Sequence, residues 1–379
     1  RRQYKATKES PVVSFIAHLE ELEDSREDIN KAYELIDIVF LTMAASLGGA
    51  EGWKAIKRFG DNKLDWLREF RPFENGIPTR HTIGRIIRGI SADSLVHCFA
   101  NWINSQRELN GQQQIAFDGK TLKGSGKNKH IEALHLMSAM VVESGLVIYQ
   151  TESKNKKNEI KTMQSMLECI PVKGHIVTAD AMHCQTETAK KIREEGADYV
   201  LQVKGNQKRL REEIAAYFHK VERDTPDAFD GQTIADIDGE HGRIIQREYR
   251  VLPQSDWMEG MDNWKGIQSV VEVKRTHIKE SETTTEVSYH ISSLAPDVHT
   301  ISRAIRNHWS IENGQHWILD VVFREDESLI YAEDGAKNMA LFKRVLLNLL
   351  KAHPAKDSIK GKKQMASWDD AFRAEVLFG

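Results

Sequence analysis

Apolar positions recur at helical spacing from residue 12 to about 109. Phe15, Ile16, Leu19 and Leu22 follow one another at steps of one, three and three, and Ile36 to Leu47 is a strongly apolar segment. The pattern predicts a small helical N-terminal domain over residues 1–110. Inside it, Ile77-Pro78-Thr79 forms a turn that offers Thr79 as an N-cap, and Arg80, Arg85 and Arg88 spread across the helix that follows. Such a helix can contact phosphate or enter a groove as a recognition helix. The same residues also describe an ordinary solvated basic face.

From Gln113 the period changes to that of strands. Gln114 to Asp118 is a β-like run closed by Gly119, and Leu134 to Val142 and Leu146 to Thr151 are apolar runs separated by the turn Ser144-Gly145. Three adjacent strands follow, at least two of them a hairpin. A helix over Glu159 to Cys169, a buried strand His175 to Asp180, a helix Thr186 to Glu195, a strand Tyr199 to Val203 and a helix Gln207 to Phe218 complete an α/β sheet over residues 111–218. Residues 219–300 break the alternation: Arg243 to Val251, Ile267 to Thr276 and Thr284 to Ser292 read as strands of a β-rich insertion. Helix resumes from Val298 to about Leu319 and from Gly335 to Ala352, in a C-terminal part spanning 301–379, where Met339, Phe342, Val345, Leu346 and Leu349 make a broad apolar face.

Composition narrows the class. The 379 residues, 40% of them hydrophobic, are enough for a sizeable core and for two or three domains of roughly 150 residues. The longest uncharged run, Ile38 to Ala50, is well short of the roughly 20 apolar residues that span a bilayer, and the basic start of the chain lacks a signal-peptide core. Cys98, Cys169 and Cys184 are few and far apart, as in a reducing compartment. A cytoplasmic protein without membrane contact is expected. Lys and Arg total 53 against 56 Asp and Glu, so any affinity for nucleic acid must come from local charge.

Three carboxylates stand out by position. Asp118 and Asp180 each end a strand-like run, and neighbouring strands would point both side chains into one crevice. Close carboxylates repel unless a cation lies between them, and Mg²⁺ suits such oxygens while leaving places for water and phosphate. Glu312, on a helix flanked by His308, Trp309, His316 and Trp317, would complete a two-metal site for phosphodiester hydrolysis or transesterification. Spacing alone is weak support, since any three of 56 acidic residues can be chosen, and capping or solvation is the commoner role of such residues.

The surroundings of these residues carry more. Phe117-Asp118-Gly119-Lys120, Thr178-Ala179-Asp180-Ala181-Met182-His183, Tyr199 to Gln207, and His308-Trp309-Ser310-Ile311-Glu312-Asn313 with His316 to Val321 resemble the H-repeat-associated group of DDE transposases. The resemblance runs through nearly the whole chain. It implies a ribonuclease H-like mixed sheet with a β-rich insertion, preceded by the helical domain, and it places the metal ligands on Asp118, Asp180 and Glu312. Two Mg²⁺ or Mn²⁺ ions, double-stranded DNA (transposon ends and target), a homodimer on that DNA and association with the nucleoid are implied with it. So is the reaction, metal-dependent nicking at terminal inverted repeats followed by strand transfer of the 3′-OH. The rivals are a non-catalytic DNA-binding regulator and a nuclease without strand transfer.

Wider relatives carry Tyr-x2-Arg-x3-Glu-x6-Lys around the Glu, whereas Ile305, His308 and Leu319 occupy those places here. Arg306 or His308 is then expected to take over the phosphate contact of the absent Arg. Lys120 and Lys123, Lys127 and Lys129, the basic loop Lys154 to Glu159, and Lys204 with Asn206 are further candidates for the DNA backbone. Each is also readable as solvated surface. His183 is expected behind the metal ligands or against substrate, with a purely structural role as the alternative. Trp309 and Trp317 are expected in packing, as are Trp257 and Trp264, whose alternative is stacking on an unpaired base.

Overall fold

The computed structural model describes residues 15, 18–20, 22–27, 31–107, 111–126, 132–154, 158–240, 243–279, 282–328, 330 and 334–378. Lys127, Lys129 and residues 155–157 of the expected basic loops, and Ile16, lie outside these. The helical leader contains α1 (Leu35–Leu47), α2 (Gly52–Arg68), α3 (Arg80–Arg88) and α4 (Ala92–Gln106). Helix α1 is apolar on nearly every side and is correspondingly buried. Thr79 caps α3, its hydroxyl oxygen accepting the Thr82 N–H at 3.2 Å. That helix buries Ile83, Ile86 and Ile87 and leaves Arg80 and Arg85 in solvent.

Five strands form the central sheet: β1 (Gln114–Thr121), β2 (His135–Val141), β3 (Val147–Ser153), β4 (Ile176–Ala179) and β5 (Asp198–Val203). Their order is β3-β2-β1-β4-β5, the first three antiparallel and β4 and β5 parallel to β1. This is the ribonuclease H-like mixed sheet, with a helical region before it. Helices α5 (Glu159–Cys169), α6 (Thr186–Glu194) and α7 (Lys208–Asp224) make the connections. Four long strands then continue the same sheet: β6 (Thr233–Glu240), β7 (Arg243–Pro253), β8 (Ser269–Lys279) and β9 (Glu282–Ser292). The last of them pairs with β5, from Val200 opposite Ser292 to Val203 opposite Tyr289, so among the described residues one sheet has nine strands.

Three elements differ from expectation. Strand β1 does not stop at Gly119 but runs to Thr121, because β2 pairs along it as far as Thr121 opposite His135. Strand β6 was not anticipated: Asp236 and Asp238 are poor strand formers, and here Arg247 bonds both. The long helix expected from Val298 is interrupted. It runs as α8 (Val298–His308), loosens into a π turn over Glu312–His316, and resumes as α9 (Trp317–Val321).

Helix α10 (Gly335–Ala352) is followed by α11 (Ile359–Trp368) and α12 (Asp370–Phe378). One face of the sheet, the leader helices, α10 and α12 share a single apolar cluster that includes Phe40, Phe99, Phe117, Tyr199, Phe342 and Leu377. On the other face, Val298, Ile301, Ala304 and Ile305 of α8 pack on Ile176, Val200, Val251 and Val271. Farther along, Ile311 packs on Ala116 and Met140. That contact decides where the next residue, Glu312, is delivered.

Candidate active site

The parallel pairing of β1 with β4 ends at Phe117 opposite Ala179. Asp118 and Asp180 are therefore the next residues on two adjacent strands, side by side where the pairing opens. Residues two apart on a strand share a face, so Asp118 stands on the face of Ala116 where Ile311 is seated. Glu312 follows Ile311 and is exposed. One Asp118 oxygen accepts the Gly119 N–H at 2.8 Å, and Asp180 accepts the Met182 N–H at 3.2 Å. Burial pushes the Asp118 carboxyl up to about 7; the Gly119 N–H opposes this, while the charges of Asp180, Glu159 and Glu312 add to it.

This donor set fits hard divalent ions. Among the described residues no three His, Cys, Asp or Glu side chains stand close enough to hold one ion together. A pair of ions, each held by two carboxylates with water and phosphate completing its shell, does not require such a triple.

The π turn explains the neighbours of Glu312. It accommodates one more residue than an α turn, which rotates everything after it by about 100°. Trp309 and Trp317, eight residues apart, consequently share one outer face. They are 54% and 58% exposed, so the expectation that both pack in the core is incorrect. The inward places go to Gln315, His316 and Leu319. His316 Nδ1 lies 3.3 Å from Asp118 Oδ2, and burial, with Arg344 and Lys120 nearby, pushes its pKa down to about 3. A neutral imidazole thus faces the first aspartate. Asp118 was legible in the sequence, but this contact was not.

Residues 109–349 match the family described as Transposase DDE domain, and residues 16–103 match the family described as DDE_Tnp_1-associated. The chain belongs to the DDE transposase family. The Escherichia coli K12 protein named "H repeat-associated putative transposase YhhI" is 36% identical over 371 residues, 96% of this chain and 97% of its own length. YbfL of the same strain is 35% identical over 96% of this chain and 97% of its own. Also similar is "Inactive transposase YbfQ", 41% identical over 70 residues, 18% of this chain and 83% of its own length. A solved piggyBac transposase complex with hairpin DNA covers 97% of this chain and 81% of its own, at 10% identity and a TM-score of 0.45.

The candidate DNA contacts of this family member fall into two sets. Exposed at the surface are Arg80, Arg85, Lys204, Asn206 and Lys123, which also pairs with Asp326 at 3.3 Å; Asn206 donates its side-chain N–H to the Ala181 carbonyl at 2.9 Å and braces the turn after Asp180. The other set is engaged within the protein. Lys120 is buried, 2.6 Å from Asp320 and 3.4 Å from Asp326. Arg306 pairs with Asp236 at 2.6 Å and Asp238 at 2.8 Å on strand β6. Arg88 donates to the Gly84 carbonyl at 3.0 Å. His308 Nδ1 is 3.1 Å from the Thr178 hydroxyl; burial pushes its pKa down to about 4 against the pull of Asp180, and His183 adds to the fall. It is therefore neutral at pH 7, a hydrogen-bonding group beside Asp180 rather than a cation.

Trp264 is buried as expected, whereas Trp257 is 45% exposed and stacks on Tyr217, centroids 6.1 Å apart. Two residues that sequence reasoning missed lie behind the aspartates: Glu159, which faces His183, and His135, which faces Glu159 from the other side. Glu159 opens a helix, where an acidic residue ordinarily complements the helix dipole, so nothing in the sequence marked it.

Proposed function

We propose that the protein binds transposon terminal inverted repeats, nicks DNA in a metal-dependent reaction, and joins the freed 3′-OH to target DNA. The observation that carries this reading is the register of β1 against β4, which sets Asp118 beside Asp180, with Glu312 near enough to raise the Asp118 pKa. Asp118 and Asp180 would bridge or flank two Mg²⁺ or Mn²⁺ ions, and Glu312 would hold one of them. When bound, such ions activate an attacking oxygen and stabilise a leaving one during in-line phosphoryl displacement. His316 orients Asp118, and Asn206 braces the backbone beyond Asp180. Lys123, Lys204 and Asn206 hold the DNA backbone near the cleavage point, and α3 is the candidate for the end sequence. Pairing of two ends requires at least a homodimer on DNA, acting at the nucleoid. Among the described residues no single helix is long and apolar enough to cross a membrane.

The test is incubation of the purified protein with a labelled transposon-end duplex, a target plasmid and Mg²⁺. Joined product is expected, and chelation removes it. Asp118→Asn, Asp180→Asn and Glu312→Gln each abolish cleavage while end binding persists. Binding alone in the wild type would make the protein a regulator, and cleavage without joining would make it a nuclease.

A further inference from the structure

Behind the three carboxylates lies a fourth, Glu159, buried at the start of α5. Its two oxygens face two imidazoles: His135 Nε2 is 2.5 Å from Oε1, and His183 Nε2 is 3.6 Å from Oε2. His183 Nε2 also lies 3.7 Å from Asp180 Oδ1, and at the far end His135 Nδ1 is 2.8 Å from the Thr121 hydroxyl. The side chains thus form a continuous line, Thr121, His135, Glu159, His183 and Asp180, drawn from β1, β2, α5 and the turn after β4.

Both histidines and Glu159 are buried, while Asp180 is 51% exposed. The line therefore runs from the interior to a candidate metal ligand at the surface. Gly119, adjacent to Asp118, makes room for it: a Cβ there would stand 2.8 Å from His135 Nε2 and 2.9 Å from Glu159 Cδ.

A buried charge costs several kcal/mol unless it is paired, and for stability alone apolar residues often serve as well. What apolar residues cannot do is direct a carboxylate. Asp180 accepts one backbone bond, from Met182, and His183 Nε2, 3.7 Å from its Oδ1, adds an electrostatic restraint on its orientation. Burial alone would raise the Glu159 pKa, but the neighbouring His135 and His183 bring it down to about 2. Its charge also reaches Asp118.

We propose that Glu159, with His135 and His183, is a positioning group for the divalent-ion site: it fixes the Asp180 carboxylate through His183 and supplies negative charge behind Asp118, without touching the ions. Glu159 is buried, with one oxygen facing each imidazole. The proposal rests on Asp118, Asp180 and Glu312 being the metal ligands. Groups of this kind typically change metal affinity by about 10- to 100-fold when removed.

Mn²⁺ binding to the full chain without DNA, followed by the electron paramagnetic resonance of the free ion, tests it apart from catalysis. Glu159→Gln and His183→Ala are expected to raise the Kd about tenfold or more with unchanged stoichiometry. His183→Gln, whose amide nitrogen reaches the place of Nε2, is expected to stay within about threefold of wild type. Asp118→Asn is the control. If it leaves Mn²⁺ binding unchanged, the ligand reading itself fails; if it weakens binding but Glu159→Gln does not, the positioning role is overturned. Fewer sites of unchanged Kd in Glu159→Gln would show a merely structural role and also overturn it. Should Glu159→Gln not fold, equal Kd values for His183→Ala and His183→Gln would do the same.

Discussion

Gly119 shows how closely the site is built at the level of single residues. As a residue within a strand it weakens local propensity, and sequence reasoning accordingly ended β1 there. The structure keeps the strand going and uses the missing side chain: the Cβ position is occupied by His135 and Glu159 at 2.8–2.9 Å. Gly119→Ala is therefore expected to destabilise the protein by about 1–3 kcal/mol through overpacking. Urea unfolding measures this, and an unchanged midpoint would mean that the imidazole and carboxylate have room to retreat. That Asp118 and Asp180 lie side by side could be expected from the two strand ends that carry them. His135 and Glu159 could not be picked out in that way, since their meaning arises only when β2, α5 and the turn after β4 converge.

The π turn carries the corresponding lesson for elements. Apolar content around Glu312 predicted a helix there, and helix is present on both sides of the turn. Trp309 and Trp317 were expected in packing, but the wide turn brings the two onto one face, and that face is the outer one. Buried Leu319 and exposed Trp317, two residues apart, allow a direct comparison. Trp309→Ala and Trp317→Ala are expected to change unfolding free energy by no more than about 0.5 kcal/mol, as surface substitutions do. Leu319→Ala is expected to cost about 2–5 kcal/mol. Equal costs at 317 and 319 in denaturant titrations would mean that α9 is rotated differently in solution. Strand β6 was missed for a related reason: Asp236 and Asp238 look like loop residues until Arg247 and Arg306 are brought against them.

For the whole molecule, the alternation of strands and helices was enough to expect the mixed sheet. It was not enough to show that the four later strands extend that sheet, because the joining pair, β5 with β9, links residues far apart in sequence. The same assembly consumes much of the positive charge. Arg250 is buried against Glu272 and pairs with Glu222, Arg306 is tied to β6, and Lys120 is tied to Asp320 and Asp326. With a net charge of −3, affinity for DNA must then rest on cations that remain outside, among them Lys204 and the 82% exposed Lys123. Each phosphate contact releases counterions, so binding of an end duplex should fall steeply with salt. Lys123→Ala and Lys204→Ala are each expected to reduce the slope of log Kd against log salt by about 1. Lys120→Met is expected to leave the slope unchanged while lowering the melting temperature, because it removes the buried partner of Asp320 and Asp326. Fluorescence anisotropy across a salt series separates the two behaviours. A slope reduced by Lys120→Met as much as by Lys204→Ala would show that Lys120 leaves its carboxylates for phosphate when DNA is bound.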